Sequence, residues 1–172
     1  YMISALRALG VKWGLSHNEV IVTNDGRGPL LIEVNCRQHN MDFCPLTASC
    51  IGYNAIDMCL VAFLLDKEEW DQFPDVPVLR QHGCMVHLVN YATGKLKQVH
   101  HLHELVDLPS VLEFEVYEGF RTAGEIIEPT IDIRTDAGWV QLVNDNRETM
   151  DHDYEQIVKW MPTMFDTTDR DG

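Results

Sequence analysis

Six residues, Asn24-Asp25-Gly26-Arg27-Gly28-Pro29, stand between two β-rich runs, Glu19 to Thr23 and Leu30 to Asn35, and force the chain to reverse. Gly, Asn and Asp tolerate φ > 0 and Pro fixes φ, so a hairpin follows from local chemistry. Alternation along a strand places Glu33, Asn35 and Arg37 on one face and Leu30, Ile32 and Val34 on the other. A reversal centred near Gly26 sets Glu19 opposite Glu33. Facing carboxylates repel unless a cation lies between them, and two carboxylates with a neighbouring amide oxygen suit a hard ion such as Mg²⁺ or Mn²⁺. The plain alternative is a solvated charged face. Against it, Leu30-Leu31-Ile32 makes the second strand apolar enough to be buried, where an unpaired carboxylate is costly.

Along the rest of the chain, Met2, Ile3, Leu6 and Leu9 recur at helical spacing and Gly10 suits a helix C-terminus. After the hairpin, Pro45 to Ser49 reads as a short connection. A helix then runs to about Leu65 with Ile56, Cys59, Leu60, Phe63 and Leu64 as its apolar stripe. Charge and two prolines break the pattern between Asp66 and Pro77, which places a boundary near Val78. Beyond it the period becomes that of strands: Cys84 to Val89 with Lys95 to Val99 as its return, Val111 to Tyr117, and a hairpin of Ile126 to Ile133 with Trp139 to Val143. On the third of these, Leu112, Phe114 and Val116 share a face. A last helix from about Glu148 to Pro162 carries Tyr154, Ile157, Val158 and Met161 as its buried stripe. The expected organisation is therefore α+β: residues 1–79 with the hairpin, a small strand-rich lobe over 80–165 closed by a helix, and a flexible tail over 166–172.

Composition narrows the function classes. The chain has 172 residues, 45% of them hydrophobic, and a formal charge of −14. With no basic stripe to replace counterions, nucleic acid is not an expected partner. No run of 18 apolar residues suggests a membrane span. Five cysteines without Cys-x-x-Cys spacing read as reduced thiols of a cytoplasmic protein, with Cys36 on the core side of its strand. His100, His101 and His103 lack a companion carboxylate or Cys cluster and read as a connecting loop or helix start rather than a metal site.

The run Leu9-Gly10-Val11-Lys12-Trp13-Gly14, then His17-x-Glu19, then Glu33-Val34-Asn35-x-Arg37, resembles the end of the ATP-grasp domain of carboxylate–amine ligases. It is most similar to the branch of L-amino-acid ligases that form dipeptides, with biotin carboxylase and D-alanine ligase more distant. The strand-rich half, with its turn Thr135-Asp136-Ala137-Gly138, resembles the C-terminal lobe of the same enzymes. The resemblance implies the C-terminal part of an ATP-grasp fold, with an antiparallel sheet and packed helices followed by the small lobe. It implies Glu19, Glu33 and Asn35 as ligands of Mg²⁺, Arg37 as the catalytic cation, Ile21 and Ile32 against the adenine of ATP, and His39 and Asn40 in the substrate loop. The implied partners are ATP, a small-molecule carboxylate and an amine, with a homodimer as an open arrangement. Carboxylation or nucleotide-precursor ligation, and a grasp-fold interaction module without catalysis, stay as alternatives. Relatives carry a glycine pair soon after the Arg, where this chain has Gln38-His39-Asn40-Met41. The glycine-rich loop and lysines that clamp ATP lie upstream of these elements in the family, so the chain reads as part of a ligase, inactive alone.

Overall fold

The computed structural model describes residues 1–39 and 43–169. These described residues form two compact units, one of 1–39 and 43–45 with 53–77 and one of 46–52 with 78–169. The segment Leu46 to Gly52, helical to Ile51, groups with the second unit.

The first unit holds α1 (Met2–Ala8), β1 (His17–Val22), β2 (Pro29–Asn35), the start of α2 (Phe43–Ile51), α3 (Ala55–Leu64) and α4 (Lys67–Trp70). The expected connection over Pro45 to Ser49 is instead helical. β1 and β2 form the expected antiparallel hairpin. Its turn is closed by Thr23 N–H donating to Gly28 O at 3.2 Å, and Gly26 and Gly28 take φ of 83° and 79°, values that a β-carbon would oppose. The Thr23 hydroxyl, then Arg27, hold the Asp25 carboxyl below its usual range. α3 begins in a capping box, with Asn54 Oδ1 accepting from Ile56 and Asp57 N–H and the Asp57 carboxylate accepting from Asn54 N–H. Neither α1 nor α3 contains a buried residue. The stripe expected to be buried on α3 is open at Leu60, Phe63 and Leu64.

The second unit carries β3 (His82–His87), β4 (Gly94–Val99), α5 (Leu102–Asp107), β5 (Val111–Val116), β6 (Ile126–Ile127), β7 (Gly138–Asn144), α6 (Arg147–Met164) and β8 (Phe165–Thr168). Two three-stranded antiparallel sheets result, ordered β3-β7-β5 and β6-β4-β8. Both hairpins expected here are replaced by long-range pairing. β3 pairs with β7 rather than with β4, and β6 pairs with β4 rather than with β7. The tail expected over 166–172 is also corrected, since Asp166 to Thr168 pair with β4, where Lys97 Nζ donates to Asp166 at 3.0 Å. Arg170 to Gly172 lie outside the described residues.

The core of this unit gathers Val86, Leu88, Leu96, Leu105, Val116, Val140, Leu142, Ile157 and Met164. A bulge in β5 opposes Val111 to Leu142 and Glu113 to Gln141. Leu112 is the additional residue, 44% exposed, and Val111 takes the inward place expected for it. On α6 the buried stripe is Met150, Asp153, Ile157, Met161 and Met164, while Tyr154 and Val158 are exposed. The helix starts at Arg147, one residue before the expected Glu148, because Asn146 caps Glu148 and Thr149 N–H. Asp153, 2% exposed, faces inward because its Oδ2 accepts the Ser110 N–H at 2.9 Å. His101 is the helix-start residue of α5, with its ring stacked on Trp160 at 5.0 Å. No single described helix is long and apolar enough to cross a membrane.

Candidate metal and nucleotide site

The hairpin register pairs His17 with Asn35, Asn18 with Val34, and Glu19 with Glu33. Two carboxylates therefore face each other across the ribbon, with the imidazole and the amide as the next pair on the same face. Both carboxylates are exposed, and among the described residues none donates a hydrogen bond or an ion pair to either. Asn35 Nδ2 and His17 Nδ1 are buried without a hydrogen-bond partner among the described residues. The two ends of an amide are interchangeable by rotation, so Asn35 can turn its oxygen into that position. Two facing carboxylates beside an amide of free orientation are donors that fit a hard divalent cation. No three His, Cys, Asp or Glu side chains cluster as a metal site among the described residues, so the fit rests on the Glu19 and Glu33 pair plus an amide.

Immediately past the carboxylate pair the register shifts: Val20 opposes Leu31 and Ile21 opposes Leu30. Ile32 is thus an additional residue in β2, and a bulge re-aims the side chains beyond it. Leu30 pairs with Ile21, two residues along from Glu19, and so joins the carboxylate face, not the opposite face that strict alternation assigns. Ile21 and Ile32 are 56% and 55% exposed, one on each strand beside the carboxylates. The bulge leaves the hairpin with exposed apolar residues instead of a buried second strand, which removes burial as a reason for the carboxylates to be paired.

Arg37 is exposed and its Nη1 donates to Gln38 O at 2.9 Å. No carboxylate pairs with it among the described residues, so the guanidinium fork stays available to an anion. Cys36 is exposed, a correction of its expected core position: the strand ends at Asn35 and alternation no longer governs the next residue. His39 packs edge-on against Phe43, ring centroids 5.3 Å apart. Asn40, expected in the substrate loop with His39, lies outside the described residues. His17, which the sequence reading quotes beside Glu19 without assigning it a role, pairs with Asn35 on the carboxylate face. Its place on the face of Glu19, two residues away, is the signal that would have found it.

No sequence family and no curated protein matches the chain. Solved structures do, across both units. An L-amino acid ligase from Bacillus licheniformis superposes with a TM-score of 0.76 at 18% identity, covering 98% of this chain and 41% of that one. A phosphoribosylglycinamide synthetase from Anaerococcus prevotii gives 0.66 at 13% identity, covering 98% and 40%. An N5-carboxyaminoimidazole ribonucleotide synthetase from Thermotoga maritima gives 0.58 at 16%, covering 98% and 40%. All three are ATP-grasp carboxylate–amine ligases, and the fold of this chain is theirs. The chain spans 40–41% of the length of these structures.

Proposed function

We propose that the chain supplies the cation-binding and acyl-transfer side of an ATP-dependent ligase that joins a carboxylate, an amino acid by preference, to an amine, with ADP and phosphate as products. The observation that carries this reading is the facing of Glu19 and Glu33 with Arg37 free of any described carboxylate partner. In this chemistry a carboxylate oxygen attacks the γ-phosphorus of ATP and the bond to ADP breaks. The amine nitrogen then attacks the acyl carbon and phosphate leaves. Glu19, Glu33 and Asn35 would hold Mg²⁺, which when bound would neutralise charge on the phosphate oxygens. Arg37 receives the oxyanion of the acyl-transfer step through its paired N–H groups. Ile21 and Ile32 offer apolar surface to the adenine, and His39 and Asn40 belong to the substrate loop.

Replacing Glu33 by Gln in the whole protein removes a metal charge at nearly constant shape. The expected result is loss of ADP release and of Mn²⁺ binding by electron paramagnetic resonance, with an unchanged circular dichroism spectrum. Undiminished ADP release by the variant would refute the assignment. A second reading, a grasp-fold interaction module without catalysis, is favoured by one feature: Gln38-His39-Asn40-Met41 stands where relatives carry glycines. ADP release by the wild-type protein with any pair of amino acids decides against it.

A further inference from the structure

We propose that the groove between α1 and α3 binds a small amphipathic anion, an apolar chain that ends in a single carboxylate. The site is separate from the hairpin carboxylates and does not depend on the ligase reading.

The groove lies wholly within the first unit. Its walls are α1, the return over residues 11–16, α3 and α4, and they enclose about 550 Å³, a volume typical of small-molecule sites. Local devices hold each wall. Val11 N–H donates to Leu6 O at 3.0 Å, closing the end of α1 where Gly10 takes a φ of 76°. The Asn54 capping box starts α3, and Asp66 starts α4 by accepting from Glu68 and Glu69 N–H at 3.0 and 3.2 Å. Half-buried Leu6, Val11, Leu15, Met58 and Val61 form an apolar floor. Trp13, Phe63 and Trp70, which are 87%, 67% and 39% exposed, stand around it. A concave apolar floor with aromatic edges fits the body of a small ligand, whereas a bilayer meets a convex or flat surface.

Charge selects the head group. The chain carries 27 Asp and Glu against 13 Lys and Arg, yet this groove is lined by three basic residues, Arg7, Lys12 and Lys67, and by one acid, Asp66. The Asp66 carboxylate is committed to the N–H groups of α4, and Lys67 Nζ donates to Asp71 at 2.6 Å. Among the described residues the side chains of Arg7 and Lys12 make no hydrogen bond or ion pair. Two uncompensated cations beside an apolar floor, in a chain acidic as a whole, complement one anionic head on an apolar body.

The test sets head-group charge against the charge of the whole chain. The whole protein is titrated with decanoate brominated at its far end, below the micellar concentration, and tryptophan fluorescence is read. Bromine quenches an indole that it touches, so saturable quenching is expected, and it should vanish when Trp13 and Trp70 are both replaced by Phe. Plain decanoate is expected to compete at least about tenfold better than decylammonium, which has the same chain and the opposite charge. Net charge alone would favour the ammonium. Arg7→Gln combined with Lys12→Gln, both at exposed positions, should bring the two competitors within about threefold of each other. Equal competition in the wild type, or quenching that survives loss of Trp13 and Trp70, overturns the proposal. Absence of saturable quenching overturns it too, since the groove is then closed to small molecules in the whole protein. Quenching by brominated phosphatidylglycerol vesicles but not by bromodecanoate would make a bilayer the occupant and overturn the small-molecule site. Each of these outcomes leaves the ligase reading, tested by ADP release, untouched.

Discussion

Asp153 is the side chain of α6 whose removal should be felt most sharply relative to its size. It is 2% exposed, and its Oδ2 accepts the Ser110 N–H at 2.9 Å. Ser110, itself fully buried, passes the connection on, with Val143 N–H donating to its carbonyl at 2.7 Å and Asn144 Nδ2 donating to its hydroxyl at 3.1 Å. Helix, loop and central strand therefore meet at one carboxylate. Asp153→Ala leaves the buried Ser110 N–H without its acceptor, a cost of about 2 kcal/mol. Asp153→Asn keeps an acceptor oxygen in place and should lose about 1 kcal/mol or less. For a unit of about a hundred residues the Ala variant should melt roughly 8 °C lower, at ~4 °C per kcal/mol. Because the chain has two units, one global transition cannot be assumed. The probe is the joint fluorescence of Trp139, 6% exposed, and Trp160, both in this unit, with Trp13 and Trp70 of the other unit replaced by Phe. An Asn variant that falls as far as the Ala variant would show that charge, not the hydrogen bond, is what Asp153 contributes. Wild-type melting of the Ala variant would refute the anchor altogether.

Gly138 starts β7 at φ 145°, and a β-carbon there would lie 2.0 Å from Glu115 O; Gly138→Ala should cost roughly 3 kcal/mol by forcing β5 away, and an unshifted urea midpoint would contradict the register. Burial pushes the Cys50 thiol up, and burial, then the negative charge of Asp151, pushes Cys84 up. A raised thiol has less thiolate at a given pH, so at pH 8 a disulfide reagent should label exposed Cys36 first and Cys50 and Cys84 last, and mass spectrometry of early adducts checks the order. Arg37→Lys in the whole protein should lower kcat about 100-fold or more if its guanidinium meets an oxyanion, with an unchanged melting temperature; normal kcat with lowered melting would return Arg37 to the scaffold.

What local chemistry decides was legible, and what distant pairing decides was not. The turn residues from Asn24 to Pro29 determine both the hairpin and the facing of Glu19 with Glu33, because a tight reversal and a period of two leave little else free. The bulge at Ile32 has no such local marker, and it moved Leu30 to the carboxylate face. In the second unit, nearness in sequence suggested that β3 returns as β4, yet β3 pairs with a strand that starts at Gly138. The reward for that pairing is a shared core under α6, which a pattern of alternation in either strand alone cannot register.

The same contrast separates the hairpin site from the buried pair of the second unit. Glu19, Glu33, Asn35 and Arg37 lie within 19 positions of each other on one hairpin and its exit, so residue spacing alone proposes them. His87 and Asp136 are 49 residues apart. They meet because β3 and β7 are neighbours, joined beyond His87 by the backbone bonds of Leu88 to Gly138 and Ala137, and no spacing in the sequence announces that meeting.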